Sequence, residues 1–361
     1  MGADAALLRT PSRSTLTRLT DRHAPAERLF TALRWLFLLL RRGAGNRGRT
    51  ARAPSEIPLV GWRDILLRTW HGLRADRGEL LAAGIAFYGF LALLSSLTAL
   101  TMIYGRFAEP EQVLEHIGVL ARVAPDAAQA LVVRRIIEVA AGAQRWWEVA
   151  LAILLAAFGA VRGARATAGA LNIVYGETEE ANFRQRWMLP LALAAGGAAL
   201  LLLALAAVGL FQAVEQLLPE ESALVWTAVR VGAWLLLLLV VSIGSAGLYR
   251  YAPARRPARW LWVTPGAIAS ALLWLAATVG VGLYLSSLAR VDLSYGSLAA
   301  VVVLELWLYL SALTLLIGAK INAETERQTC ADTTIGEPRA AGARHAASAD
   351  QLGAIPALHA D

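Results

Sequence analysis

The sequence predicts an all-α polytopic membrane protein with six transmembrane helices and both ends on the cytoplasmic side. Three observations carry that expectation. Of 361 residues, 57% are hydrophobic and 17% charged, with a mean hydropathy of +0.51. Soluble domains average roughly 45–50% apolar and roughly 25% charged. Charge-free runs also recur at or near the roughly 20 residues that a spanning helix needs. Finally, the connections between those runs alternate between arginine-rich and arginine-poor.

Residues 1–57 form a basic arm, expected to be mostly disordered and held near anionic lipid by charge. Its apolar patch Trp35–Leu40 is too short to span and is followed by Arg41 and Arg42, which argues against a cleaved secretory signal. Residues 58–79 follow as an amphipathic segment. Trp62, Ile65, Leu66, Thr69, Trp70 and Leu73 share one helical face, with Arg63, Asp64, Arg68 and Arg74 on the others. That composition predicts a helix lying on the inner leaflet.

Residues 80–325 form the membrane domain. Its spans are predicted at about 80–105, 145–170, 187–214, 223–249, 260–289 and 293–319. The second is the weakest: Val149–Val161 is short and needs the Arg162–Asn172 stretch to extend it. Thr264-Pro265-Gly266 reads as the opening of the fifth span, where proline suits a helix start. Between the first two spans, Arg106–Arg145 carries two apolar stretches at helical spacing, separated by Pro125. These predict two short helices on the outer side. After residue 326 the chain is polar and without periodicity, and a disordered tail is expected.

Charge sets the orientation. Residues 1–79 hold 15 arginines, and Arg250, Arg255, Arg256 and Arg259 lie between spans four and five. Gln212–Ser222 has three glutamates and no basic residue. Positive loops stay in the cytoplasm, which places the arm, the tail and these loops on the cytoplasmic side of the membrane.

Three motifs are distinctive in order and spacing. One is Ala83-Gly-Ile-Ala-Phe-Tyr88, with Phe87 and Tyr88. Another is Ala170-Leu-Asn-Ile-Val-Tyr175. The third runs from Pro265-Gly-Ala267 through Tyr295-Gly296-Ser297 and Leu306-Trp307-Leu-Tyr309 to Gly318-Ala-Lys-Ile-Asn322-Ala-Glu324. Over about residues 60–325 the chain resembles the YihY/BrkB family of bacterial inner-membrane proteins, once labelled ribonuclease BN. The resemblance implies six helices with both ends cytoplasmic. It also brings two functional labels, a tRNA-processing ribonuclease and a virulence factor linked to serum resistance. Departures from the family pattern are Leu94-Ser95 in place of Phe-Pro, Ala181 in place of an arginine, and Lys320 in place of a glutamate.

Glu305 is the sharpest single candidate, because a carboxylate deep in a span is costly and must face protein or water. Arg230, in the fourth span, is the candidate partner; pairing for packing is the alternative to a proton or cation site. A polar, basic inner cluster is read from Arg162, Arg165, Asn172, Tyr175, Glu179, Arg184 and Arg186, suited to anionic head groups or serving only topology. Membrane lipids are therefore the expected partners, with a homo-oligomer or an envelope partner left open. No specific nucleic acid, cofactor or metal is expected.

Two classes of function stay open. Transport or flipping of a lipid, another amphiphile or an ion fits six spans, a buried acid and small-residue seams. No Gly-x-x-x-x-Gly-Lys-Ser/Thr loop is present to bind ATP. The alternative is a non-catalytic envelope scaffold or assembly factor. A nuclease is disfavoured: the histidines at 23, 71, 116, 345 and 359 are scattered and build no acid–base or metal cluster.

Overall fold

In the computed structural model, the described residues are 47–104, 146–178, 188, 191–192, 195–196, 223–288 and 296–356. Helix α1 is Leu59–Ala75 and α2 is Gly78–Tyr104; α3 is Trp146–Tyr175 and α4 Ala223–Tyr251. Helix α5 is Trp260–Leu288, α6 is Gly296–Glu326, and the short α7 is Ala347–Asp350. Five of these, α2 to α6, are long and apolar enough to cross a membrane. They match the predicted first, second, fourth, fifth and sixth spans. The predicted third span falls almost wholly outside the described residues, as do the two outer helices of 106–145.

The second span is longer than predicted. At 30 residues, α3 is about 45 Å long at 1.5 Å per residue, which is the thickness of a bilayer with its headgroup regions. Small residues set how the helices meet. Helix α2 packs along α3, and α5 along α6; α6 also touches α1, α2 and α3, while α4 leans on α5. A Cβ on Gly159 would stand 2.7 Å from the Ala92 nitrogen and 2.9 Å from its Cα, so glycine lets α2 and α3 approach backbone to backbone. Gly266 and Gly318 do the same for α5 and α6, each facing the other's carbonyl.

Among the described residues, one end of the bundle carries almost all of the polar structure; it is called the basic end below. Helices α3, α4 and α6 finish there, and α2 and α5 begin there. The core also gathers there, around Ala170, Leu171, Val174, Tyr175, Tyr249, Trp262, Ala312, Leu316 and Ala319.

Three expectations change at this end. Helix α1 does not give its whole apolar face to the leaflet. Ile65 and Thr69 are buried and Trp62 and Leu73 pack against the core, whereas Leu59, Leu66 and Trp70 stay exposed. The stripe is wide enough to serve both the protein and an outer apolar phase. Residues 47–57 of the arm and 327–356 of the tail are folded against the bundle. The Cys330 N–H donates to the Arg49 carbonyl, Thr329 Oγ1 to Ala51, and Arg49 Nη2 to Gly353. Hydrophobic periodicity could not reveal that order, because backbone and side-chain hydrogen bonds to distant segments provide it. Pro265, finally, lies inside α5 and not at its start, since the helix begins at Trp260.

Candidate functional site

Two arrangements stand out, a cleft inside the membrane-length helices and a polar seal at the basic end.

The cleft encloses about 260 Å³ between α2, α4, α5 and α6. Ile85, Ala86 and Gly89 come from α2, Val241 and Ser245 from α4, Ser270 and Trp274 from α5, and Leu308, Ser311, Ala312, Thr314 and Leu315 from α6. Helices α2 and α4 make little or no contact with each other, and the cleft lies between them with α5 and α6 behind. Its polar groups are hydroxyls and an indole, with no charge among the lining residues. Trp274 Nε1 donates to Ser311 Oγ at 3.1 Å, and Ser311 Oγ donates to the Trp307 carbonyl at 2.7 Å. Tyr249 donates to the Leu315 carbonyl at 2.7 Å just below. Small and hydroxyl residues inside apolar spans are the sequence signal for such a site, and it is weak because they also serve packing.

The seal is built around the last turns of α6, where every side chain from Lys320 to Glu326 is buried. Lys320 Nζ pairs with Asp76 at 2.6 Å and donates to the Val174 carbonyl. Asn322 Oδ1 accepts the Gly266 N–H at 2.7 Å, and its Nδ2 donates to the Val263 carbonyl at 2.9 Å. Asn322 thereby serves backbone groups beside Pro265, whose missing N–H interrupts the α5 ladder. Glu324 accepts from Arg68 at 2.7 Å and Arg327 at 2.8 Å. Glu326 holds a fully buried, bidentate pair with Arg255 at 2.7 and 3.1 Å, and accepts from Thr333 as well. The Arg255 guanidinium lies 4.2 Å over the Tyr175 ring and donates to Ser348. Burial is the largest influence and works against that charge, yet Glu326, Tyr175 and Glu177 together outweigh it and hold the guanidinium above its ordinary range.

A family model described as Virulence factor BrkB matches residues 69–343.

The chain belongs to that family.

The BrkB assignment has named relatives. A putative ribonuclease-like protein YfkH of Bacillus subtilis is 34% identical over 99 residues, 27% of this chain and 34% of that protein. A UPF0761 membrane protein of Delftia acidovorans is 33% identical over 85 residues, 24% of this chain and 20% of the relative. Another, of Pseudoalteromonas translucida, is 32% identical over 103 residues, 28% of this chain and 34% of the relative. The matched stretch thus spans about a third or less of these relatives. No solved structure matches. With its five membrane-length helices, this BrkB member is a multi-pass bacterial membrane protein.

The BrkB motif positions do not form one site. Asn322, Glu324 and Gly318 belong to the seal. Trp307 donates to Thr278 Oγ1 at 3.1 Å, and Tyr309 packs on the core. Phe87 is exposed, with its ring edge-to-face on Tyr88. Gly296 opens α6, and Tyr295 lies outside the described residues. The inner cluster is divided as well. Asn172 accepts the Ala254 N–H at 2.7 Å and Tyr175 sits under Arg255, so both serve the seal. Arg162 and Arg165 lie inside α3 and not in a loop; Arg162 stacks over Phe158 at 5.3 Å. Glu179, Arg184 and Arg186 lie outside the described residues. Glu305 is half-buried on α6, away from the cleft lining, and makes no ion pair with a described residue. The side chain of Arg230 lies outside the description, so their pairing stays an expectation.

Arg255, Glu326, Arg68 and Asp76 were missed as a unit. Their signal is charge placed just past span ends, which looks identical to topology-setting charge until the fold pairs it.

Proposed function

We propose that this BrkB protein takes a membrane lipid, or a similar amphiphile, from the bilayer into the cleft and moves it across the membrane. The observation that supports this reading is the cleft itself: apolar, hydroxyl-bearing, uncharged and set between two helices, α2 and α4, that barely touch. Such a lining, with more apolar than polar surface, suits part of an acyl chain or a neutral polar group. At about 260 Å³ it is below the roughly 300–1,000 Å³ of small-molecule pockets, so it holds a segment of a lipid. The seal beneath it ties α6 to α1, α5 and the tail.

We read the chain as six-spanning, with both ends cytoplasmic in the inner membrane. Tyr175 ends α3 at the basic end, whereas Ala223 opens α4 at the opposite end. The connection between them therefore has the full thickness to traverse, which supports a sixth crossing. Anionic head groups on the cytoplasmic side are the proposed partners, and the protein is read as non-catalytic.

A scaffold role is the second reading. It is favoured by one observation: Glu305 and the arginines of α3 do not share a cavity with the cleft. Proteoliposomes carrying headgroup-labelled lipid test both. Wild type is expected to exchange lipid, and Gly89→Leu, which fills the cleft where a Cβ meets nothing within 4 Å, is expected to abolish exchange. Folded wild-type protein that moves no lipid would replace transport with the scaffold. Release of cleaved tRNA by the purified protein would overturn the non-catalytic reading.

A further inference from the structure

We propose that the basic end binds the phosphate of an anionic membrane lipid through Arg250, held against the rings of Tyr251 and Trp260. The inference rests on the membrane reading of the chain but not on the cleft, whose lining does not include Arg250.

Arg250 closes α4, and Trp260 opens α5 after a short connection. The guanidinium carbon lies 4.6 Å from the Trp260 ring centroid and 5.5 Å from that of Tyr251. The two rings meet edge-to-face at 6.1 Å. Nη1 donates to the Ala258 carbonyl, which anchors the group from behind. Arg47, Arg68, Arg255, Arg327 and Lys320 all pair with carboxylates. Arg250 has no carboxylate within ion-pairing distance among the described residues, so no described acid compensates its charge. Arg259, next in line, is exposed and donates to the Thr334 carbonyl, again with no acid.

The surroundings choose the ligand. Trp260, Leu261 and Tyr251 are each half or more exposed, at the ends of two membrane-length helices. Tryptophan and tyrosine prefer the headgroup level of a bilayer. An arginine fixed there by aromatic stacking loses little freedom on binding, and its planar fork matches phosphate oxygens. The apolar flank at Leu261 suits the glycerol and upper acyl chain of a lipid, and not a free hydrated anion.

The test uses full-length protein in nanodiscs of phosphatidylcholine with increasing phosphatidylglycerol, with retained lipids read by native mass spectrometry. Wild type is expected to prefer phosphatidylglycerol. Arg250→Gln is expected to weaken that preference about tenfold, the scale of one charge-assisted contact. Gly89→Leu is expected to retain it, which separates failure of this site from failure of the cleft. A wild type without preference overturns the proposal, as does a folded Arg250→Gln that binds like wild type. Displacement of phosphatidylglycerol by millimolar inorganic phosphate would also overturn it, by making this a free-anion site. The wild-type preference and the phosphate competition need no variant to fold.

Discussion

Lys320 is the only lysine of the chain, and its ammonium meets Asp76 at 2.6 Å with only 5% of its own side chain exposed. The pair ties α6 to the α1–α2 turn. Lys320→Met is expected to cost about 1–3 kcal/mol, the scale of a buried group left unsatisfied; Asp76 keeps some water, which limits the loss. Lys320→Glu is expected to melt lower still, and Asp76→Lys added to it to recover part of the loss. Thermal unfolding in detergent reads all three. Arg255 is more exposed to failure, because its pair with Glu326 is fully buried on both sides. Arg255→Gln should lower stability by about 3–5 kcal/mol, the usual cost of stranding one buried charge. The two acids differ in how legible they were. Glu305 was visible because a carboxylate in an apolar run is conspicuous. Glu326 was not, because at a span end it looks like solvent-facing charge.

At the scale of elements, the tail owes its order to polar groups. The Asp332 carboxylate accepts the N–H groups of Thr334 and Arg339 at 2.9 and 2.8 Å and the Thr334 hydroxyl at 2.7 Å. Burial would raise its pKa, yet these hydrogen bonds hold it below the ordinary carboxylate value. A lowered folded pKa means that the stabilisation is complete above the unfolded value, near pH 4. It is lost as pH falls through the folded one. Hydrogen exchange across residues 327–356 should therefore stay slow at neutral pH and quicken below about pH 4, a step absent in Asp332→Asn. Helix contacts follow a different rule. Gly159→Leu must separate α2 from α3, because the new Cβ would meet Ala92 backbone at 2.7 Å. A marked drop in melting temperature is expected, with Gly89→Leu as the tolerated control. Element positions were legible from hydropathy in all five described spans. The overrun of α3 to Tyr175 and of α6 to Glu326 was not, since those turns are polar and helical only by packing into the seal.

For the whole molecule, the basic end is the organising feature: arm, tail, α1 and five helix ends converge there. Cys330 is exposed at that end and gives a direct topological reporter. A membrane-impermeant maleimide is expected to label it in inverted vesicles and not in intact cells; labelling of intact cells would reverse the orientation. The positions of the five described spans could be read from the chain because burial in a bilayer demands long apolar runs, which composition displays without knowledge of contacts. Partners across sequence were decided only by the tertiary structure. Lys320 lies 244 positions from Asp76, Arg255 lies 71 from Glu326, and the cleft draws on four helices. Single-chain periodicity reports which face of a helix is apolar, whereas pairing and cavities depend on which faces the fold brings together.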